Sequence, residues 1–314
     1  MKISGYTFVR NATLLGYPLK ASIQSILPLV DEFVICYCQG DENDNTYNEI
    51  SSIESDKIKL VEGIWDPERF KKNTLYAFLS DMAKKSCEGD WLFYLQCDEV
   101  IHERHLDEIK TACFQYLEEK HVEGFLFNYR HFWGDYDHCF THHGWYPREV
   151  RIVRNDPKIH SWRDAQSFRR IEDFKATTED YLRTDSTQKL NVIALPSYIH
   201  HYGWVRPPET MVNKQNRMRK SFDPNRPLLQ EAAFDYGPLQ RIPKFKGTHP
   251  QVMQPMIDQW NWKSSLQYKG ARNRNRRKHR HELIKYRLRS WIELNLLGGR
   301  ELGGFRNYNI IGRY

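Results

Sequence analysis

The sequence predicts an α/β fold with a mostly parallel sheet flanked by helices, and three observations carry this prediction. Strand-like apolar runs alternate with segments of helical spacing through the first hundred residues. This alternation is typical of right-handed crossovers and a parallel sheet. The strand-like runs are almost unbroken in their apolar residues, which fits strands covered by helices on both faces. Acidic stretches follow two of the runs, at the sheet edge where ligands bind in such folds.

The elements are predicted in the order strand, helix, strand, helix, strand, helix, strand. Apolar residues three or four positions apart indicate the helices, and continuous apolar runs indicate the strands. The segments are strands at 3–9, 32–38, 57–63 and 90–96, and helices at 17–27, 46–53 and 73–85. Further strands are predicted at 124–134 and 148–155.

The second half of the chain gives a weaker pattern. Residues 1–215 are predicted to form one domain with two halves, 1–110 and 111–215. A C-terminal region, 216–314, follows; it is rich in proline and loops at first, and its last fifty residues are predicted to be helical and basic. The length of 314 residues fits one large domain or two small ones.

The composition indicates a folded protein without a membrane span. Hydrophobic residues make up 40% of the chain and aromatic residues 14%, enough for a substantial core. The mean hydropathy is −0.74 and no apolar run approaches the length of a transmembrane helix. The N-terminus lacks the continuous apolar region of a secretory signal, so a cytoplasmic location is expected. The six cysteines are scattered, which favours buried thiols in a reducing compartment over a disulfide framework.

The net charge of +7 comes from one segment of the chain. Residues 269–289 contain ten Lys or Arg and one acid, a local charge of +9, so the remainder of the chain sums to −2. The basic character is therefore a patch and not a general property of the fold.

The strand at 90–96 leads directly into Asp98 and Glu99. Adjacent acids at a strand end have three interpretations. They could cap the next helix, act as a general acid and base, or hold a divalent cation that bridges phosphate oxygens.

Several short motifs surround these acids in a fixed order. They are the acidic loop DENDNT (41–46), KN (72–73), GDW (89–91) and DE (98–99). In this order they resemble the family 2 glycosyltransferases, which have the GT-A fold. The resemblance covers residues 3–110 and continues more loosely through WYPREVRIVRN (145–155) and IHHYGWVR (199–206).

The resemblance implies a GT-A (Rossmann-like) fold and an inverting glycosyltransferase. Such an enzyme moves a sugar from a nucleotide-diphosphate sugar to a glycan or lipid-linked acceptor, with Mn²⁺ or Mg²⁺ as cofactor, at the cytoplasmic face of the membrane. Residues 1–110 would be the nucleotide-binding half and 111–215 the acceptor-binding half. The implied metal ligands are Asp98, Glu99 and His201. The implied donor-binding residues are Arg10, Asn11, Asp44, Lys72, Asn73 and Gln96.

Two departures from the family pattern are informative. Gln96 replaces the first acid of the family's Asp-x-Asp motif, so it brings hydrogen-bonding groups but no charge. Asp98 therefore becomes the main metal ligand. The loop after the second strand also departs from the commoner Gly-Ser-x-Asp-x-Thr arrangement, although Asp44 and Thr46 remain.

Asp164 is the candidate catalytic base. It lies among aromatic and basic residues in HSWRDAQSFRR (160–170), where the resemblance places an acid. Inverting transfer needs a carboxylate that deprotonates the acceptor hydroxyl. The alternative is a surface ion pair of Asp164 with Arg163 or Arg169. Glu149 and Asp137 are reserve candidates for the base.

Histidines and aromatic residues mark two further stretches. YIHHYGWVRPP (198–208) resembles a turn that lines a site, in which His201 would complete the metal shell; imidazole suits Mn²⁺ better than Mg²⁺. His200 would point the other way if the segment were extended. In DYDHCFTHHGW (135–145), the spacing of His138, Cys139, His142 and His143 does not match zinc sites. Nearby aromatics form either an acceptor-binding wall or ordinary core, namely Phe132, Trp133, Tyr136, Trp145 and Tyr146.

The basic segment 269–299 carries apolar residues in helical register. It could lie on an anionic membrane surface, contact nucleic-acid phosphates, or pack on the domain as a solvated helix. The resemblance favours the membrane, and no nucleic-acid partner is expected.

Two other functions remain open at this point. A nucleotidyltransferase also carries acids at strand ends, but its Gly-rich phosphate loop is missing from FVRNATLLGYP (8–18). A catalytically degenerate, GT-A-like binding protein is the other alternative, and Gln96 is the residue that favours it.

Overall fold

The computed structural model describes residues 1–140, 145–297, 302–303 and 306–314. A ten-stranded sheet forms its centre. The strands of this sheet are β1 Ile3–Val9, β2 Glu32–Tyr37, β3 Ile58–Glu62, β4 Trp91–Tyr94, β5 Glu99–Ile101, β6 Gly124–Trp133, β7 Cys139–Phe140, β8 Arg148–Arg154, β12 Leu190–Trp204 and β13 Tyr308–Arg313. A second sheet holds β9 Ile159–Trp162, β10 Ser167–Ile171 and β11 Thr187–Gln188.

Helices connect and cover these strands. The α-helices are α1 Leu19–Ile26, α2 Thr46–Ser51, α3 Thr74–Lys85, α4 Leu106–Gln115, α5 Thr178–Leu182, α6 Pro208–Phe222, α7 Gln254–Asp258 and α8 Ile284–Asn295. Short 3₁₀ helices occur at Glu103–His105, Leu239–Arg241, Gln251–Met253, Lys263–Ser265 and Arg280–Glu282.

The strand order is β13-β12-β6-β8-β4-β1-β2-β3, with β5 paired to β12 and β7 to β6. Strands β3, β2, β1 and β4 run parallel, as the alternating pattern predicts. Strand β8 is antiparallel to both β4 and β6, whereas β6, β12 and β13 are parallel. The predicted mostly parallel sheet flanked by helices is confirmed.

Successive residues of the central strands enter two separate cores. In β4, Trp91 and Phe93 pack on one face with α1 and α4, while Leu92 and Tyr94 pack on the other with α3. Both faces are therefore covered, which explains the unbroken apolar runs of these strands.

Two predictions about the second half need correction. The segment at 198–208 is not a turn, because its first seven residues end the long strand β12. The last fifty residues are not all helical either, because Tyr308–Arg313 forms β13 at the sheet edge beside β12. The division of the chain into 1–215 and 216–314 stays a prediction.

Candidate functional site

Gln96, Cys97 and Asp98 form the turn between β4 and β5 at the carboxyl end of β4. The backbone carbonyl of Asp98 accepts from Tyr202 N of β12 at 2.8 Å. Strand β5 then runs antiparallel to β12, with Glu99 opposite His201. The pairing brings Asp98 and His201 together, although they are far apart in sequence.

The Asp98 carboxylate lies 3.7 Å from His201, measured from Oδ2 to Nε2. His201 Nδ1 lies 3.0 Å from His131 Nδ1, and His131 Nε2 lies 2.7 Å from the carbonyl oxygen of Tyr146. A carbonyl can only accept, so His131 carries its proton on Nε2 and accepts from His201 at Nδ1. Burial lowers the pKa of both imidazoles, which keeps them neutral. His201 Nε2 therefore presents a lone pair toward Asp98.

Gly203 allows the backbone to pass close to this pair. A Cβ atom at this position would lie 2.6 Å from the His201 ring and 2.7 Å from Asp98 Oδ2. Any larger residue would push the imidazole or the carboxylate out of place.

Asp98 and His201 fit a divalent cation as a pair of donors. A carboxylate oxygen and a neutral imidazole nitrogen form a mixed donor set of the kind that Mn²⁺ accepts. Within the described ranges, no group of three or more His, Cys, Asp or Glu side chains is arranged to hold a metal ion. A cation at this pair would thus need further oxygen ligands from a diphosphate or from water.

Glu99, the third predicted metal ligand, has a different role. Its carboxylate is fully buried and receives two hydrogen bonds from Arg151, both at 2.8 Å. Tyr129 OH donates to it at 2.7 Å and Gln96 N at 3.1 Å. Both oxygens are engaged, so this arrangement argues against metal binding by Glu99; the residue fixes the turn that carries Asp98.

Lys214 of α6 is a site residue that the sequence did not reveal. Its Nζ donates to Asp98 Oδ2 at 3.2 Å and to the carbonyl of Gly203 at 2.7 Å. Burial alone would raise the pKa of Asp98, but the positive charges of Lys214 and Arg206 lower it to about 2. Burial lowers the pKa of Lys214 as well, and the ion pair with Asp98 opposes that effect.

Asp164 lies in the four-residue turn between β9 and β10. Its neighbours Arg163 and Ala165 have φ of 58° and 60°, in the left-handed region. Gln96 Nε2 donates to the carbonyl of Ala165 at 3.3 Å, and Arg151 donates to that of Gln166 at 2.8 Å. The turn is thus attached to the end of β4. Burial raises the pKa of Asp164, as suits a general base.

Of the two reserve carboxylates, Glu149 lies beside this turn. Its Oε1 accepts from Gln166 at 2.9 Å, and Oε2 has no hydrogen-bond partner in the described structure. Burial raises the pKa of Glu149 to about 8, and the charge of Asp164 contributes to the increase. Asp137 is exposed, and its backbone carbonyl accepts from Phe245.

The predicted donor-binding residues at the ends of β1 and β2 form a network. Arg10 makes an ion pair with Asp41 at 2.8 Å, and Asn11 Oδ1 accepts from Asp41 N at 2.8 Å. Asp44 Oδ1 accepts from Thr13 and Thr46, each at 2.7 Å. These contacts order the loop that follows β2 against the end of β1.

Lys72 and Asn73 precede α3 with φ of 56° and 65°. Lys72 is exposed, whereas Asn73 is buried and its Oδ1 has no partner in the described structure. Two successive left-handed residues cost free energy unless the surroundings impose them. No hydrogen bond or ion pair joins Lys72 to the Asp98 turn among the described residues.

Two further interpretations are decided by burial. Phe132, Trp133 and Tyr136 are almost completely buried and belong to the core, so they do not form an acceptor wall. His138 is paired with Asp135 at 2.9 Å. His142 and His143, the other histidines of the possible zinc group, lie outside the described residues.

Comparisons with known proteins give structural similarities only. No family model and no curated protein matches the chain. The structural alignment with S. aureus TarS 1–349 in complex with UDP covers 70% of this chain and 65% of the TarS chain. The two chains are 14% identical, and the TM-score is 0.38. The alignment with glucosyl-3-phosphoglycerate synthase from Mycobacterium tuberculosis, in complex with Mn²⁺, UDP and phosphoglyceric acid, covers 41% of this chain and 43% of that chain. The identity is 19% and the TM-score is 0.28. The alignment with a nucleotidyl transferase from Methanothermobacter covers 49% of this chain and 72% of that chain, at 13% identity and a TM-score of 0.27.

These matches are partial in length. The chain spans 35% to 65% of the TarS chains that it matches. The arrangement of the described strands is a sheet with four parallel strands at one end and the antiparallel strand β8 at its centre. The described strands and helices therefore form the mostly parallel α/β sheet, flanked by helices, that the sequence predicts.

Proposed function

We propose that this protein is an inverting glycosyltransferase that moves a sugar from a nucleotide-diphosphate sugar to a glycan or lipid-linked acceptor. The observation that carries the proposal is the convergence of Asp98, His201 and the Asp164 turn at the end of β4. Gln96 links the two parts, because it precedes Asp98 and holds the turn that contains Asp164. A diphosphate site and a base on opposite sides of the sugar are what a single inverting displacement needs.

Each proposed site residue has a separate task. Asp98 and His201 would hold Mn²⁺ or Mg²⁺, which supplies positive charge to the leaving diphosphate. Asp164 would accept the proton of the acceptor hydroxyl at its carboxylate. The remaining proposed residues would shape the donor pocket, namely Arg10, Asn11, Asp44, Lys72, Asn73 and Gln96.

Calorimetric titration with UDP and with GDP, each with and without Mn²⁺, tests this proposal. We expect one nucleotide to bind, with an affinity that Mn²⁺ raises, and we expect Asp98→Asn to remove the increase because the cation loses its anionic ligand. Asp107→Asn, at an exposed aspartate of α4, is the matched control. Asp164→Asn should bind nucleotide normally but lose sugar transfer by about 10²-fold or more.

The outcomes separate the possible functions. If neither nucleotide binds under any condition, the transferase proposal fails and a degenerate binding protein becomes the better description. Release of diphosphate from a nucleoside triphosphate in the presence of a sugar phosphate would instead support a nucleotidyltransferase.

We also propose that α8 lies on an anionic membrane surface. This helix is inverted relative to an ordinary surface helix, because Ser290 and Glu293 are buried while its apolar residues face outward. Ile284, Leu288 and Trp291 are 74%, 57% and 54% exposed and share one face by their spacing. An exposed apolar stripe of this kind indicates a docking surface.

Basic residues surround this apolar stripe. Lys285, Arg287 and Arg289 of α8 are exposed, and the basic segment 269–280 precedes the helix. Apolar side chains flanked by Lys and Arg are typical of helices that lie in the plane of an anionic membrane. Of the helices that the structure describes, none has the length and hydropathy needed to cross a membrane. The proposed mode is association of α8 with one face of the membrane.

A further inference from the structure

Two cations share the buried space beside Asp98. The Nζ of Lys214 lies 4.8 Å from the centre of the Tyr17 ring, and the guanidinium of Arg206 lies at the same distance from that ring. Arg206 is 1% exposed and acts on the charge of Asp98. Lys214 hydrogen-bonds directly to Asp98. One carboxylate thus faces two positive side chains.

Arg206 is incompletely satisfied. Its Nη1 donates to the carbonyl of Leu15, but its Nε and Nη2 have no hydrogen-bond partner in the described structure. Glu99 cannot serve as its counter-ion, because its carboxylate is engaged by Arg151. A buried guanidinium without a full set of acceptors is costly. The unused N–H groups of Arg206 are therefore available to donate to an anion.

A second carboxylate near helix α6 also faces two positively charged side chains. Arg217, which follows Lys214 by three residues in α6, contacts Asp41 at 2.5 Å, and Arg10 contacts the same carboxylate at 2.8 Å. Helix α6 therefore lies across the ends of β2 and β4. Beside Asp98, Lys214 and Arg206 leave one positive charge in excess, and this excess matches a multiply charged anion such as a diphosphate.

We propose that Lys214 and Arg206 bind the diphosphate of the donor nucleotide directly, so that nucleotide binds even without a divalent cation. The inference rests on the function proposed above and concerns the same site. The ammonium supplies a compact charge, and the guanidinium supplies paired N–H donors for phosphate oxygens. Lys214 also competes with a cation for Asp98, because both need the same carboxylate oxygen.

The test is titration with UDP, GDP and inorganic diphosphate in the presence of EDTA. We expect wild-type protein to bind, and Lys214→Met to bind at least tenfold more weakly, since one charge-assisted hydrogen bond to an anion is lost. Lys220→Met is the matched control, because Lys220 lies on the same helix, is exposed, and donates to Pro224 O. Arg206→Gln should weaken binding similarly, and thermal unfolding checks that each variant is folded.

Titration with Mn²⁺ alone gives a second, independent readout. Lys214→Met should bind Mn²⁺ more tightly than wild type, because the competing ammonium is removed from Asp98. Nucleotide binding that strictly requires Mn²⁺ and is unchanged in Lys214→Met would overturn this inference while leaving the transferase proposal intact. Absence of nucleotide binding under every condition would overturn the transferase proposal itself.

Discussion

At the scale of single residues, the site depends on the hydrogen-bond direction that each partner imposes on the next. The carbonyl of Tyr146 sets the tautomer of His131, and His131 sets that of His201. Gly203, which has no side chain, leaves the space that His201 and Asp98 need. The sequence indicates Asp98 and His201 as members of a site, but it gives no sign of His131, whose role depends on a partner 70 residues away.

Glu149 is a second residue whose behaviour depends on its surroundings. An unfolded glutamate has a pKa near 4.5, whereas burial raises that of Glu149 to about 8 in the folded chain. Between these values the folded protein holds a proton that the unfolded chain has released. The stability of the fold must therefore fall as the pH rises from about 4.5 to about 8.

Glu149→Gln should consequently stabilise the protein at pH 9 and much less at pH 4.5. The neutral amide avoids the cost of a buried charge, on the order of a few kcal/mol, and should raise the melting temperature by roughly 2 °C or more. Glu118→Gln, at an 84% exposed side chain, is the control. Equal melting temperatures of wild type and Glu149→Gln at pH 9 would contradict the raised pKa.

At the scale of elements, predictability depends on whether a helix is held by apolar or by polar contacts. Helix α3 is predictable because its buried residues recur with helical spacing. Helix α6 is not, because only Pro208, Met211 and Val212 are buried in its 15 residues. It is attached through Lys214 and Arg217, and a polar helix anchored by ion pairs leaves no apolar period in the sequence.

The exposed apolar face of helix α8 should bind anionic membranes. Wild-type protein should co-sediment with vesicles that contain phosphatidylserine and much less with pure phosphatidylcholine. Ile284→Ser with Leu288→Ser should weaken this binding at least tenfold, because each aliphatic side chain contributes about 1.5 kcal/mol or more when buried. Leu228→Ser, at a leucine 45% exposed elsewhere, is the control.

Two results would contradict the membrane proposal. The double variant and the control could bind the vesicles equally, which would show that the apolar stripe is not in contact with lipid. Alternatively, RNA could bind the wild-type protein with strong salt dependence while the vesicles do not, which would assign the basic segment to nucleic acid.

At the scale of the whole molecule, the fold is predictable where the sheet is parallel and buried, and less so elsewhere. Strands β1 to β4 are recognisable as apolar runs separated by helices. Strand β13 is not, because it is short, lies at the edge and alternates buried and exposed residues. The site combines both halves of the chain, so its assembly depends on the pairing of β12 with β5 and β6, which no local pattern specifies.

Burial of histidines is a further property of the whole molecule. Burial lowers the pKa of His105 and His249 to about 4 and that of His281 to about 3. The pKa values of His131 and His200 lie well below the usual value for the same reason. In each case the folded protein favours the neutral ring, whereas the unfolded chain takes up a proton near pH 6.5.

The contribution of these histidines to stability should therefore be complete above pH 6.5 and decrease as the pH falls below it. At pH 5.5 the unfolded chain binds a proton at each of the five histidines, and the proton held by folded Glu149 offsets one of them. We expect unfolding in denaturant at pH 5.5 to take up at least two protons net, so that the free energy of unfolding falls by about 2.7 kcal/mol or more per pH unit. A free energy of unfolding that does not change between pH 7.5 and 5.5 would show that these rings are accessible to solvent.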